Sequence, residues 1–154
     1  MPRLFAVLVG CNYRDDRRPE VPPLQGAEDD ARHMAALLAG SPLAHGELGR
    51  LDLLLGSEAT TENIRTALQQ AAAAQSPQDT LFFYFSGHGG RGADGLSLYT
   101  ADAQYHTPEL LKEFQRELPT RIVLDCCHAG AIGVPPAAAR DASSIAQRGA
   151  GGAA

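Results

Sequence analysis

The chain has 154 residues, 44% of them hydrophobic and 20% charged, which suits one soluble globular domain with a sizeable core. Its net charge of -5 is mild and comes without any block of like charges, so neither nucleic acid nor an anionic membrane is expected as a partner. No apolar stretch approaches the roughly 18 residues of a membrane span, and MPRLFAVLVGCNY lacks the cleavage site of a signal peptide, so a cytoplasmic protein is expected.

Along the chain, residues 4–10 read as a strand buried on both faces, and the polar, proline-bearing NYRDDRRPEVPP that follows reads as a loop long enough to border a site. Over 28–39, Ala31, Met34, Ala35 and Leu38 fall on one helical stripe, with Asp29 and Asp30 in the first turn where carboxylates complement the helix dipole. Residues 51–55 form a second strand. Thr60 or Thr61 then caps a helix carrying Ile64, Leu68 and Ala72 at four-residue spacing.

The third and most apolar strand is 81–86. The glycine-rich GGRGADG at 89–95, directly beyond His88, is expected to be a mobile loop. A weak strand at 96–99 precedes a helix with Thr107 as N-cap, Pro108 at its first position, and Leu110, Leu111, Phe114 and Leu118 facing inward. Residues 121–126 form the next strand. Strands alternating with amphipathic helices make right-handed crossovers, so the expected fold is α/β, with three α/β/α layers and a mostly parallel sheet covered on both faces. Past Gly133 the composition shifts to Ala, Gly, Ser and Pro. This divides the chain into a folded domain at 1–133 and a flexible tail or linker at 134–154.

Three cysteines, with Cys126 and Cys127 adjacent and Cys11 alone, argue against a disulfide framework and for a reducing compartment. Two apolar runs end in reactive side chains, TLFFYFSGHGG in His88 and RIVLDCCHAG in Cys126 and Cys127. A thiol attacks as thiolate, and an imidazole that takes its proton is the usual remedy for an unperturbed pKa near ~8.5. In parallel α/β sheets ligands bind beyond the carboxyl ends of strands, which puts His88 and Cys127 on one edge. Strand alternation groups Tyr84, Ser86 and His88 on one face and Val123, Asp125 and Cys127 likewise, leaving Cys126 with Ile122 and Leu124. Asp125, at the end of a strand expected to be buried, needs a partner, and a basic substrate side chain would serve. Gly87, Gly89 and Gly90 let backbone approach closely, and the Gly89 and Cys127 amides are candidate donors to an oxyanion. Cys11 reads as a packing residue, as do His33, His45 and His106 as surface residues. They lack ligand spacing, so no metal site is expected.

YFSGHGG at 84–90 and LDCCHAG at 124–130 resemble the two active-site motifs of caspase-like cysteine peptidases, closest to prokaryotic metacaspases. LVGCNY at 8–13 and LQGAEDDARHM at 24–34 resemble the family's first strand and following helix. The resemblance implies a caspase-like domain in which Cys127 is the nucleophile, His88 the general base or the imidazolium partner of the thiolate, and Gly89 part of the oxyanion hole. It further implies an acidic pocket for Arg or Lys, made by Asp30, Ser86 and Asp125. Cys126, Ala129 and Ala27 stand where many relatives have Ser, Ser and Cys. The spacing from His88 to Cys127, 39 residues, differs from the caspase interval of about 50 and favours basic over aspartate specificity.

The expected activity is therefore a cysteine endopeptidase cleaving proteins or peptides after Arg, less readily Lys, with self-cleavage at Arg140 or Arg148 in the tail. No cofactor is expected to be required. Calcium activates some metacaspases, but Asp94, Asp102 and the RDDRRPE carboxylates lack the spacing of an oxygen-ligand loop. Family members continue into a smaller subunit, so a second caspase-like subunit or a C-terminal segment is an expected partner. The alternative is a catalytically idle caspase-like scaffold or regulatory module.

Overall fold

In the computed structural model the described residues are 1–40, 47–92, 95–114 and 117–126. The catalytic thiol expected at Cys127, His45, Asp94, His128 and the tail arginines Arg140 and Arg148 lie outside them.

Four strands, β1 (Arg3–Gly10), β2 (Glu47–Leu55), β3 (Thr80–Ser86) and β7 (Thr120–Asp125), form one sheet in the order β2-β1-β3-β7 with every neighbouring pair parallel. Leu4 to Val9 of β1 are buried without interruption, as a central strand between two layers requires. Helix α1 (Ala27–Gly40) covers one face, where Ala31, Met34, Ala35 and Leu38 pack on Ala6, Leu8 and Tyr84. Helix α2 (Thr61–Ala74) covers the other, with Ile64, Leu68 and Ala71 on Val7, Val9, Phe83 and Phe85. The layers are α/β/α, as expected. Thr60 is the cap of α2, its side chain accepting from the Asn63 amide at 3.1 Å.

Three expectations change. The described residues of the glycine-rich segment are strand and not loop: β4 (Gly89–Gly92) and β5 (Gly95–Tyr99) pair antiparallel, and β6 (Gln104–His106) joins them in a second, three-stranded sheet. Glycine is a poor strand former, and β4 lies against β5, whose Leu96 and Leu98 are buried in the core. Helix α3 (Thr107–Leu111) has only five residues, and His106 holds the N-cap position without a side-chain capping bond, so Thr107 is the first helical residue and Phe114 and Leu118 lie beyond the helix. Among the described residues the sheet is also not covered at β7, which alternates between half-buried and exposed positions and leaves Val123 40% exposed. A strand at the end of the sheet order has neighbours on one side only, which no apolar run reveals.

Candidate active site

The carboxyl ends of β1, β3 and β7 meet at one edge, where Ser86 lies in register with Gly10 on one side and Asp125 on the other. One further backbone bond, from the Gly87 amide to the Asp125 carbonyl at 3.3 Å, carries the pairing past the end of β3. The two motifs are thus tied together one residue before His88 and two before Cys127. Alternation holds at the end of β7: Ile122, Leu124 and Cys126 pack against the core shared with α2, whereas Val123 and Asp125 are exposed.

The His88 ring is held from below by a group that residue-type reasoning does not reach. Its Nε2 stands 2.7 Å from the Pro22 carbonyl. A carbonyl only accepts, so Nε2 carries the hydrogen, and Nδ1 is the nitrogen left to accept a proton. Tyr13 packs its ring against the imidazole, with centroids 5.1 Å apart, and its hydroxyl accepts from the His88 amide at 2.8 Å. Burial pushes the Tyr13 phenol well above its ordinary value, and the bond from the His88 amide only partly offsets this, so it remains a neutral hydroxyl.

Both contacts come from residues 12–23, the segment read as a loop, and that loop is anchored at several points. The Asn12 side chain accepts from the amides of Ala27 at 3.0 Å and Glu28 at 3.3 Å, capping α1 from outside the helix, and its carbonyl accepts from Leu24 at 2.8 Å. Arg18 is buried. It donates to the Thr100 and Ala103 carbonyls, pairs with Glu20 at 2.8 Å, and lies over the Tyr99 ring at 5.2 Å. Two clefts of about 510 and 290 Å³ flank the loop, and Tyr13, Arg14 and Asp15 line both.

Of the expected pocket residues, Ser86 is buried and donates from Oγ to Asp30 Oδ2 at 3.3 Å. Asp125 is beside it in register. Burial raises the Tyr84 phenol, its interaction with Ser86 partly offsets this, and the nearby carboxylates of Asp125 and Asp30 push it further up. Asp125, however, is exposed rather than buried, because β7 is the last strand in the order of the described sheet. The expectation that burial forces it to find a partner is overturned, while its place beside Ser86 stands. Among the described residues, no salt bridge includes Asp30 or Asp125.

Gly89 opens β4. The Tyr99 amide bonds the His88 carbonyl at 3.0 Å, and antiparallel bonding recurs at every second residue, so the Gly89 amide points away from β5. Cys11 is buried as expected, its thiol near the Gly56 carbonyl at 3.8 Å and pushed up to about 11 chiefly by burial. It is no nucleophile at neutral pH.

No described helix is long and apolar enough to cross a membrane. The sequence pattern of the caspase domain matches residues 3–151. Metacaspase-1A of Neurospora crassa is 28% identical over 155 positions, covering 84% of this chain and 32% of the relative. Metacaspase-1B of the same organism is 32% identical over 97 residues, covering 58% of this chain and 21% of the relative. The chain therefore spans about a third or less of the length of these curated relatives. The crystal structure of protein GSU0716 from Geobacter sulfurreducens superposes on 99% of this chain and 68% of its own, with a TM-score of 0.68 at 22% identity, and shares the fold. The chain belongs to the caspase-domain family.

Proposed function

We propose that this chain is a cysteine endopeptidase of the metacaspase kind, cleaving protein or peptide substrates after Arg and less readily after Lys. The observation that carries the reading is the bond from the Gly87 amide to the Asp125 carbonyl, which brings the histidine motif and the cysteine motif side by side. Cys127 attacks the scissile carbonyl as thiolate. His88 Nδ1 takes the thiol proton and returns it to the leaving amine, while Pro22 keeps the ring in the tautomer that leaves Nδ1 free to do so. The outward Gly89 amide donates to the oxyanion, and water then hydrolyses the thioester. Asp30, Ser86 and Asp125 supply the charge for a guanidinium or ammonium group. No cofactor is needed for these steps.

The test uses peptides ending in Arg, Lys or Asp before a fluorogenic leaving group, with and without calcium. Wild type is expected to cleave after Arg, Cys127→Ala to lose activity, and Cys126→Ala to keep it. Activity that survives Cys127→Ala and disappears in Cys126→Ala reverses the assignment. A second reading, an idle scaffold or regulatory module, is favoured by the open β7 edge, where a second caspase-like subunit or a C-terminal segment would pair. It is adopted if wild type cleaves none of the peptides.

A further inference from the structure

The turn that carries His88 contains an interrupted pair of hydrogen bonds. Opposite residues of an antiparallel pair exchange two bonds, and His88 stands opposite Tyr99 by continuation of the β4–β5 register. One bond is present, from the Tyr99 amide to the His88 carbonyl at 3.0 Å. The other is replaced by a relay: the His88 amide donates to the Tyr13 hydroxyl at 2.8 Å, and that hydroxyl donates to the Tyr99 carbonyl. An amide only donates and a carbonyl only accepts, so the inserted group must do both, which a phenol does and a phenyl ring does not.

The surrounding structure is shaped around this hydroxyl. Tyr13 holds a left-handed φ of 55°, a conformation that a non-glycine residue adopts only at a cost the surrounding structure must offset. A Cβ on Gly87 would come within 2.6 Å of the Tyr13 oxygen. The loop that presents Tyr13 is anchored by the buried Arg18 on the Thr100 and Ala103 carbonyls, just past Tyr99 itself. The same ring lies against the imidazole, and the same loop supplies the Pro22 carbonyl.

We propose that Tyr13 is the positioning residue of the catalytic imidazole: its hydroxyl wedges the turn open and so fixes how far His88 stands from the second sheet. Without the wedge, the His88 amide and Tyr99 carbonyl close to a direct bond of about 2.9 Å, and the imidazole leaves the Pro22 carbonyl. A displacement near 1 Å at a reacting group lowers a rate by roughly a hundredfold. The proposal rests on the peptidase reading, and two of its readouts do not.

The experiment compares wild type with Tyr13→Phe in the full chain. The expected result is a roughly 10- to 100-fold fall in kcat on the Arg peptide, with KM changed by less than about threefold. Melting temperature is expected to fall by only a few degrees, the loss of one buried hydrogen bond. Nitrogen-15 spectra of the imidazole are expected to show a hydrogen-bonded Nε2–H tautomer of His88 in wild type that is lost or rotated in the variant. In wild type alone, the Tyr13 hydroxyl proton is expected as a slowly exchanging resonance. An unchanged kcat in folded Tyr13→Phe overturns the proposal, as does an unchanged His88 spectrum or a Tyr13 hydroxyl exchanging as fast as a solvated phenol. If wild type cleaves nothing, the peptidase reading falls, and the spectra alone decide whether Tyr13 places the ring.

Discussion

Asp30 and Asp125 are exposed carboxylates that share an edge with a buried serine, and exposure changes what each contributes. A buried unpaired carboxylate would be costly in the empty site, whereas an exposed one stays hydrated until a cation displaces the water. Asp125→Asn is accordingly expected to leave melting temperature unchanged while raising KM for an Arg peptide by about 10-fold or more, the scale of one charge-assisted hydrogen bond. Asp30→Asn should do the same and in addition loosen Ser86, whose hydroxyl it receives. Steady-state kinetics on Arg and norleucine peptides separates these cases. Equal losses on both peptides mean that the carboxylates support the fold and not the pocket. The thiols give a parallel contrast. Cys11 is held protonated by burial, so iodoacetamide at neutral pH is expected to spare it in native protein and modify it in urea, read by mass spectrometry of tryptic peptides.

At the scale of elements, the site depends on how closely α1 approaches the end of β1. Gly10 leaves no room for a side chain: a Cβ there would come within 2.5 Å of the Ala27 carbonyl, 2.8 Å of Glu28 Cα and 2.9 Å of Ala31 Cβ. Two of the three contacts are backbone and the third is a β-carbon with no rotamer to yield, so Gly10→Ala must push the first turn of α1 outward, carrying Asp30 with it and pulling the Ala27 and Glu28 amides away from the Asn12 cap. The expected cost is about 1–3 kcal/mol of stability, measured by urea unfolding, together with a higher KM on Arg peptides. A variant of unchanged stability shows that α1 can retreat without loss. These elements were legible in the sequence because β1 and β3 carry near-continuous apolar runs and α1 and α2 carry clean stripes, and strand alternation separated Cys126 from Asp125. What was not legible has a common cause. Pro22 acts through a carbonyl that every residue possesses, and Tyr13 and Arg18 find partners 75 and 82 residues away. Asp125 is exposed because of the sheet order, a property of four strands together that no single strand encodes.

For the molecule as a whole, the central strand β1 is secured at its two ends by groups that titrate at opposite extremes of pH. At the amino end, Asp79 accepts from the Arg3 amide at 2.7 Å, the Arg3 guanidinium at 3.1 Å and the Ser76 amide at 2.7 Å. Burial alone would raise this carboxyl, but the three donors outweigh it and hold the value at about 2 against an ordinary 3.8. At the carboxyl end, burial raises the Cys11 thiol from 9.0 to about 11, and burial raises the Tyr13 phenol in the same direction. The signs follow from which state binds the proton. As pH falls from about 4 to about 2, the unfolded chain protonates Asp79 before the folded one does, so stability drops on the acid side. As pH rises from about 9 to about 11, the unfolded chain releases the Cys11 proton while the folded one keeps it, so stability drops on the alkaline side, by about 2–3 kcal/mol from this thiol at most. Urea unfolding across pH should therefore give a plateau bounded by two independent limbs. Asp79→Asn is expected to lower the plateau by about 1–3 kcal/mol and to flatten the acid limb alone. Cys11→Ala is expected to flatten part of the alkaline limb alone, the remainder belonging to Tyr13. Either substitution altering the opposite limb would mean that the two ends of β1 do not titrate independently.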